Sequence, residues 1–239
     1  MTTLLTDQTA LVLGASSGMG RATALLLAEH GMQVFATARR ADRLQELAQT
    51  SPRIVPCVGD VTVAADLSRI VDAACSATGR LDVVVYATGT NIPDRALLEV
   101  SPARWHEMLA TNLTGAFLTT QAVVPILRRQ GGGLIVYVAS AAVQRPDVSG
   151  VAYQASKHGL TGLAYATRVE ERDHGIRTTV LMPGLCDTEI LTKRPTPTPQ
   201  DVLSQALDPA DVAAAVLFLA QLPPRALVPE LPIVPARLW

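Results

Sequence analysis

Short apolar runs alternate with longer stretches of helical spacing along most of this chain. Residues 9–13 (TALVL) form an apolar run that breaks at Gly14, and 21–31 (RATALLLAEHG) carries helical spacing up to Gly31, a natural stop. The chain therefore opens strand, glycine turn, helix. The alternation repeats with a strand at 33–38 and a helix at 41–49. Further strands are predicted at 53–58, 81–87, 133–139 and 177–182, with 226–234 as a last, proline-interrupted edge candidate. Helices are predicted near 64–78, 102–130, 152–173 and 209–221. The strands are nearly uninterrupted apolar runs, as expected where both faces of a sheet are covered. The pattern predicts an α/β fold: a doubly wound parallel sheet of about seven strands with helices on both faces, ligands sitting beyond the carboxyl ends of the strands.

No linker, charge run or low-complexity block divides the chain before residue 185, so 1–239 is read as a single domain. One stretch differs. In 192–201 (TKRPTPTPQD) three prolines between 195 and 199 exclude a continuous helix. This marks 185–208 as a candidate mobile substrate loop, although the composition fits a plain surface connection equally well.

Composition narrows the function classes. With 49% hydrophobic residues but only 4% aromatic, the core must be built from Ala, Val, Leu and Ile. A formal net charge of −1, from 20 basic and 21 acidic residues, offers no general attraction for nucleic acid or an anionic membrane. Cys57, Cys75 and Cys186 are scattered without ligand spacing, which argues against a disulfide framework and against a metal site. The N-terminal residues show no leader pattern, and no window approaches the roughly 18 apolar residues of a membrane span. A cytoplasmic protein is expected.

Candidate chemistry begins at YQASK, 153–157. Tyr153 and Lys157 stand four apart, on one face of the predicted helix, and place a proton donor beside a cation. A phenol ordinarily titrates near a pKa of about 10, and a nearby ammonium is a sensible way to bring it into working range. Alone, such a pair is commonplace. The turn after the first strand reads Gly14, Ala15, Ser16, Ser17, Gly18, Met19, Gly20. Glycines there let the backbone approach a pyrophosphate at the start of the following helix.

With the G-x-x-x-G-x-G turn and Tyr-x-x-x-Lys in this order, the sequence resembles the short-chain dehydrogenase/reductase family over nearly its whole length. The resemblance implies that Ser140, Tyr153, Lys157 and Asn112 are catalytic, Asn112 steadying a water that relays protons to Lys157. It implies that Asp60 and Val61 hold the adenine ring, and that Pro183, Gly184 and Thr188 hold the nicotinamide carboxamide. Two departures stand out: Leu13 where the family usually has Thr, and Tyr86-Ala87-Thr88-Gly89 where Asn-Asn-Ala-Gly is usual. The resemblance also implies a homodimer or homotetramer built on the two long helices, to be checked by sedimentation.

The second strand ends Ala38-Arg39-Arg40, without the carboxylate that binds ribose hydroxyls and with two guanidiniums suited to a 2′-phosphate, so NADP(H) is expected over NAD(H). The expected activity is a reversible carbonyl reductase or alcohol dehydrogenase acting on a small molecule. The alternatives are a 3-oxoacyl-carrier-protein reductase, docking through Arg128, Arg129, Arg168 and Arg172, and a non-catalytic NADPH-binding regulator. Asn91–Pro93, Val143–Pro146 and Leu185–Leu191 are the expected pocket segments.

Overall fold

The computed structural model describes residues 5–239, so residues 1–4 of the span read as one domain lie outside the described residues. Its centre is a sheet of seven parallel strands: β1 (Thr9–Leu13), β2 (Gln33–Ala38), β3 (Ile54–Val58), β4 (Val83–Tyr86), β5 (Gly133–Val138), β6 (Ile176–Pro183) and β7 (Glu230–Ile233). The spatial order is β3-β2-β1-β4-β5-β6-β7. The direction of winding reverses between β1 and β4, which leaves a crevice at their carboxyl ends.

Strand alternation divides the core in two. Ala10 and Val12 of β1, with Leu134, Val136 and Val138 of β5, face α1 (Gly18–Glu29), α2 (Ala41–Ala48) and α8 (Pro209–Gln221). Leu11 and Leu13, with Ile135 and Tyr137, face α3 (Ala64–Thr78), α5 (Gly115–Gln130) and α6 (Val151–Glu171). Both faces are thus covered, as the apolar runs require. On the outer surface of α5 and α6, Phe117 and Val169 remain exposed.

The long helix expected at 102–130 is interrupted. After α4 (Pro102–Leu109), capped by the Ser101 side chain, the chain widens into a π-helical turn at Ala110–Thr114 before α5. The last strand contracts to Glu230–Ile233, an edge where Pro232 loses no inner ladder bond. The candidate loop is closed at its base: Leu207 N–H donates to Leu185 O, and Asp187 N–H donates to Leu207 O, both at 2.9 Å. Between these ends lie a 3₁₀ turn at Glu189–Lys193 and α7 (Gln200–Leu203). Among the described residues no helix is long and apolar enough to cross a membrane.

Candidate active site

The crevice is lined on one side by backbone alone. Gly14 has φ +89°, and its N–H and that of Ala15 both donate to Thr37 O at 2.8 and 3.0 Å, stitching the turn to the end of β2. A Cβ on Gly14 would lie 2.8 Å from Ala87 C and Thr88 N, and one on Gly20 would lie 2.3 Å from Gly14 O. No side chain other than hydrogen fits at either place. α1 then starts at Gly18 with no side-chain cap from Ser17, leaving its first N–H groups to a ligand. Two buried hydroxyls without a partner among the described residues, Thr37 Oγ1 and Thr88 Oγ1, flank the same turn. A bare backbone cradle, an uncapped helix start and orphaned hydroxyls fit a pyrophosphate-bearing dinucleotide.

At the end of β2 the two arginines separate. Arg40 reaches back over the turn, its Nη2 donating to Ser17 Oγ at 2.7 Å and to Ser16 Oγ at 3.0 Å, its Nη1 to Glu189 Oε2 at 2.9 Å. The Arg40 hydrogen bond holds the Glu189 carboxyl below the usual range. Arg39 instead points outward, 3.8 Å from Asp60 Oδ2. Asp60 Oδ1 accepts from the Thr62 amide and hydroxyl, and Val61 is buried beneath it.

Beyond β5 the residues expected to be catalytic come together. Ser140 follows the strand in extended conformation, and its Oγ accepts from Ala142 N–H at 3.2 Å, which fixes the side chain. Tyr153 lies in the first turn of α6, which starts after Gly150 at φ +93°. Burial pushes its phenol up from the ordinary value, a hydrogen bond with Ser140 opposes this, and Asp147 raises it further while Arg95 lowers it. Lys157 lies one turn on, buried, its Nζ donating to Val138 O at 2.8 Å and 5.7 Å from the Tyr153 ring centre. Burial pulls its pKa down to about 8. The expected lowering of the phenol by the ammonium is therefore not what governs here; desolvation of both groups is larger.

Asn112 occupies the π-helical turn, fully buried. Its Oδ1 accepts from Thr90 N–H at 2.8 Å, and its Nδ2 reaches Thr90 O and Ser156 Oγ, both at 3.0 Å. The side chain ties the β4 exit to α6 and has little capacity left for a water. Gly89 sits where a Cβ would come 3.4 Å from Lys157 Nζ and 3.9 Å from Asn112 Oδ1. Gly89, Asn112 and Lys157 therefore converge.

Ser140 and Tyr153 open on a cavity of about 680 Å³ that also touches Met19, Pro183, Gly184 and Thr188. Of the expected pocket segments, Asn91, Arg145, Pro146 and most of Leu185–Leu191 line it, while Ile92, Pro93, Val143 and Gln144 do not. Cys186 lines it too, but burial and three neighbouring aspartates push its thiol up to about 12, so it is no thiolate. A second depression, of about 550 Å³, lies at the opposite end of the strands near Asp82, Gly133 and Arg177 and holds none of these groups.

The family model described as short chain dehydrogenase matches residues 8–198. The chain belongs to the short-chain dehydrogenases. This short-chain dehydrogenase is 32% identical over 237 residues to an uncharacterised oxidoreductase of Staphylococcus aureus, covering 98% of this chain and 99% of that one. Among solved structures it is similar to a 3-ketoacyl-(acyl-carrier-protein) reductase from Brucella melitensis complexed with NADH: TM-score 0.88, 25% identity, 98% and 99% of the two chains covered. It is also similar to an alcohol dehydrogenase from Thermococcus sibiricus complexed with 5-hydroxy-NADP: TM-score 0.85, 29% identity, 96% and 97% covered. The protein is accordingly an oxidoreductase of this family.

The departure at Tyr86 has its own solution in this dehydrogenase. The buried phenol donates to Thr111 O at 2.6 Å, and Gly115 leaves room for it, since a Cβ there would lie 2.5 Å from the hydroxyl. Tyr86 thus joins β4 to the π-helical turn. Tyr86→Phe should cost about 1 to 3 kcal/mol by orphaning the Thr111 carbonyl. Thermal unfolding should show a fall of several degrees, and an unchanged midpoint would mean that the bond contributes nothing.

Sequence reasoning missed three parts of the site. Glu189 pairs with Arg40 across 149 positions of sequence. Arg95 and Arg194 reach the cavity from separate loops, and Leu238 and Trp239 form part of its wall. Only Trp239 carried a signal, an aromatic residue with no helix or strand to belong to.

Proposed function

We propose that this chain is an NADPH-dependent carbonyl reductase, able to run in reverse as an alcohol dehydrogenase. The observation that carries the reading is the Ser140 and Tyr153 pair opening on the cavity, with Lys157 buried behind it. A substrate carbonyl oxygen sits between the two hydroxyls. Ser140 donates a hydrogen bond that polarises it, and Tyr153 transfers its proton to it as the C=O π bond breaks. A phenol raised by burial stays protonated at rest, as a donor must. When bound, the reduced nicotinamide supplies the hydride of the new C–H bond. Lys157 is a cation below its pKa of about 8 and offsets the charge left on Tyr153. Asn112 positions Thr90 and Ser156 around this group.

The cofactor would rest on Gly14, Gly18 and Gly20, with Ala87, Thr88 and Gly89 beside it, Asp60 and Val61 toward adenine, and Pro183, Gly184 and Thr188 toward nicotinamide. The 2′-phosphate site is Arg40 with Ser16 and Ser17, and Arg39 flanks it. Glu189 now neutralises Arg40, so a phosphate enters by replacing one anion with another. The relatives crystallised with NADH and with an NADP derivative show that the fold accepts either, so these residues decide. Arg40→Ala should weaken NADPH binding roughly 10- to 100-fold, from loss of charge-assisted hydrogen bonds, and NADH much less. Titration at matched ionic strength checks this, and an equal loss for both cofactors would contradict the assignment.

The carrier-protein reading is less well supported, because most of its candidate docking arginines already have partners within the chain. Arg128 forms a two-pronged pair with Glu171 at 2.6 Å, Arg168 donates to Thr178 O and Pro229 O, and Arg172 faces Asp173 at 3.4 Å. Three of the four arginines are committed within the chain. NADPH consumption over a panel of aldehydes, ketones and an acyl-carrier thioester tests the reading. Turnover of small carbonyl compounds is expected, and turnover of the carrier thioester alone would overturn it.

A further inference from the structure

The carboxylate census of the cavity is lopsided. Arg95, Arg145 and Arg194 line it against one carboxylate, Asp147, which accepts from Ser149 N–H at 2.9 Å. None of the three arginines forms an ion pair among the described residues. Arg95 is half-buried and bonded only to backbone, Nε to Ile92 O at 3.0 Å and Nη2 to Lys193 O at 2.7 Å. That second bond fixes the residue next to Arg194. Arg194, also half-buried, donates from Nη1 to Thr198 Oγ1 at 2.9 Å, so the proline-rich turn presents it beside Arg95. Arg145 is exposed and stacks over Trp239 at 5.4 Å. Lys193 is taken up by Thr90 Oγ1.

Elsewhere carboxylates fix Arg40 (Glu189), Arg80 (Asp82) and Arg128 (Glu171), while Arg168 and Arg177 are held by backbone carbonyls on surfaces away from this cavity. Held by neutral acceptors, the half-buried guanidiniums of Arg95 and Arg194 have only the Asp147 side chain nearby to offset their charge in part. Burial first, and then the charge of Arg194, holds the Arg95 guanidinium below its ordinary value. Arg95 is also seated against the start of α6: a Cβ on Gly150, three residues before Tyr153, would lie 2.6 Å from Arg95 Cβ. The guanidinium is also near enough to Tyr153 for its charge to lower the phenol pKa.

We propose that the substrate is an oxo acid, a carbonyl compound whose carboxylate is held by Arg95 and Arg194 while its C=O lies at Ser140 and Tyr153. This rests on the reductase reading above. Two guanidinium forks match a planar carboxylate, and the cavity leaves room for a carbon chain between the two ends.

The test uses straight-chain oxo acids of increasing length and their methyl esters. At the preferred length the acid should exceed its ester in kcat/KM by more than about 10-fold, and Arg194→Gln should lower the acid roughly 10- to 100-fold, mainly through KM, so that the ratio collapses toward one. Arg194→Lys, which keeps the charge but not the fork, should restore part of the ratio. A wild-type ratio at or below one, or a ratio untouched by Arg194→Gln, overturns the proposal. Calorimetry with oxidised cofactor, with which an oxo acid cannot react, separates the two layers. Binding of acid but not ester, lost in Arg194→Gln, supports the anion site even if no turnover is found; no preference for the acid overturns it.

Discussion

Tyr153→Phe should lower turnover by about 10² to 10⁴-fold while NADPH binds nearly as before. The substitution removes one oxygen and nothing else. That oxygen is near enough to Ser140 for the two to interact and faces the cavity, whereas the ring packs with Ile92, Met108 and Ala152 and would stay in place. Lys157 keeps its bond to Val138 O, so the buried cation does not lose its anchor. Stopped turnover with unchanged cofactor affinity and unchanged thermal midpoint is the signature of a lost proton donor. Turnover within a few-fold of the parent would remove Tyr153 from the reaction.

Gly20→Ala should have the next largest effect, on the fold and the cofactor together. The new methyl would lie 2.3 Å from Gly14 O and 2.7 Å from Gly14 C, backbone atoms that themselves pack on Ala87 and Thr88. The turn has no flexible side chain that could give way. An overpacked site of this kind costs about 1 to 3 kcal/mol, roughly 2 to 12 °C in thermal midpoint for a chain of this size. Cofactor affinity should fall with it, because the displaced backbone is the cradle itself. A variant as stable as the parent that binds NADPH equally well would show that the cradle is not where the cofactor rests.

The sheet was legible because its strands are buried on both faces and therefore read as continuous apolar runs, Val83–Tyr86 being the plainest. Gly14 and Gly20 were legible because backbone contact leaves glycine as the one residue that fits, and Gly18 because it sits at φ +52°. Ser140, Tyr153 and Lys157 were legible through spacing and family resemblance, and the structure brings all three together. The interruption of the long helix was not. Residues 110–114 carry helix-compatible side chains, and the turn widens around an Asn112 whose partners, Thr90 and Ser156, lie 22 and 44 positions away. The same holds for Arg95 and Arg194, which meet across 99 positions because Arg95 bonds the carbonyl of Lys193. The sign of the Tyr153 shift also escaped, since a sequence shows the neighbouring ammonium but not the burial that outweighs it.

The most direct measurement follows the hydride. NADPH carrying deuterium at both positions of the reactive nicotinamide carbon is incubated with a carbonyl substrate and the enzyme, and the alcohol is examined by mass spectrometry and NMR. One deuterium on the carbinol carbon for each NADPH consumed, absent with Tyr153→Phe, is the expected result. NADPH consumed without deuterium in the product, or equal labelling with Tyr153→Phe, would contradict a hydride transfer completed by Tyr153.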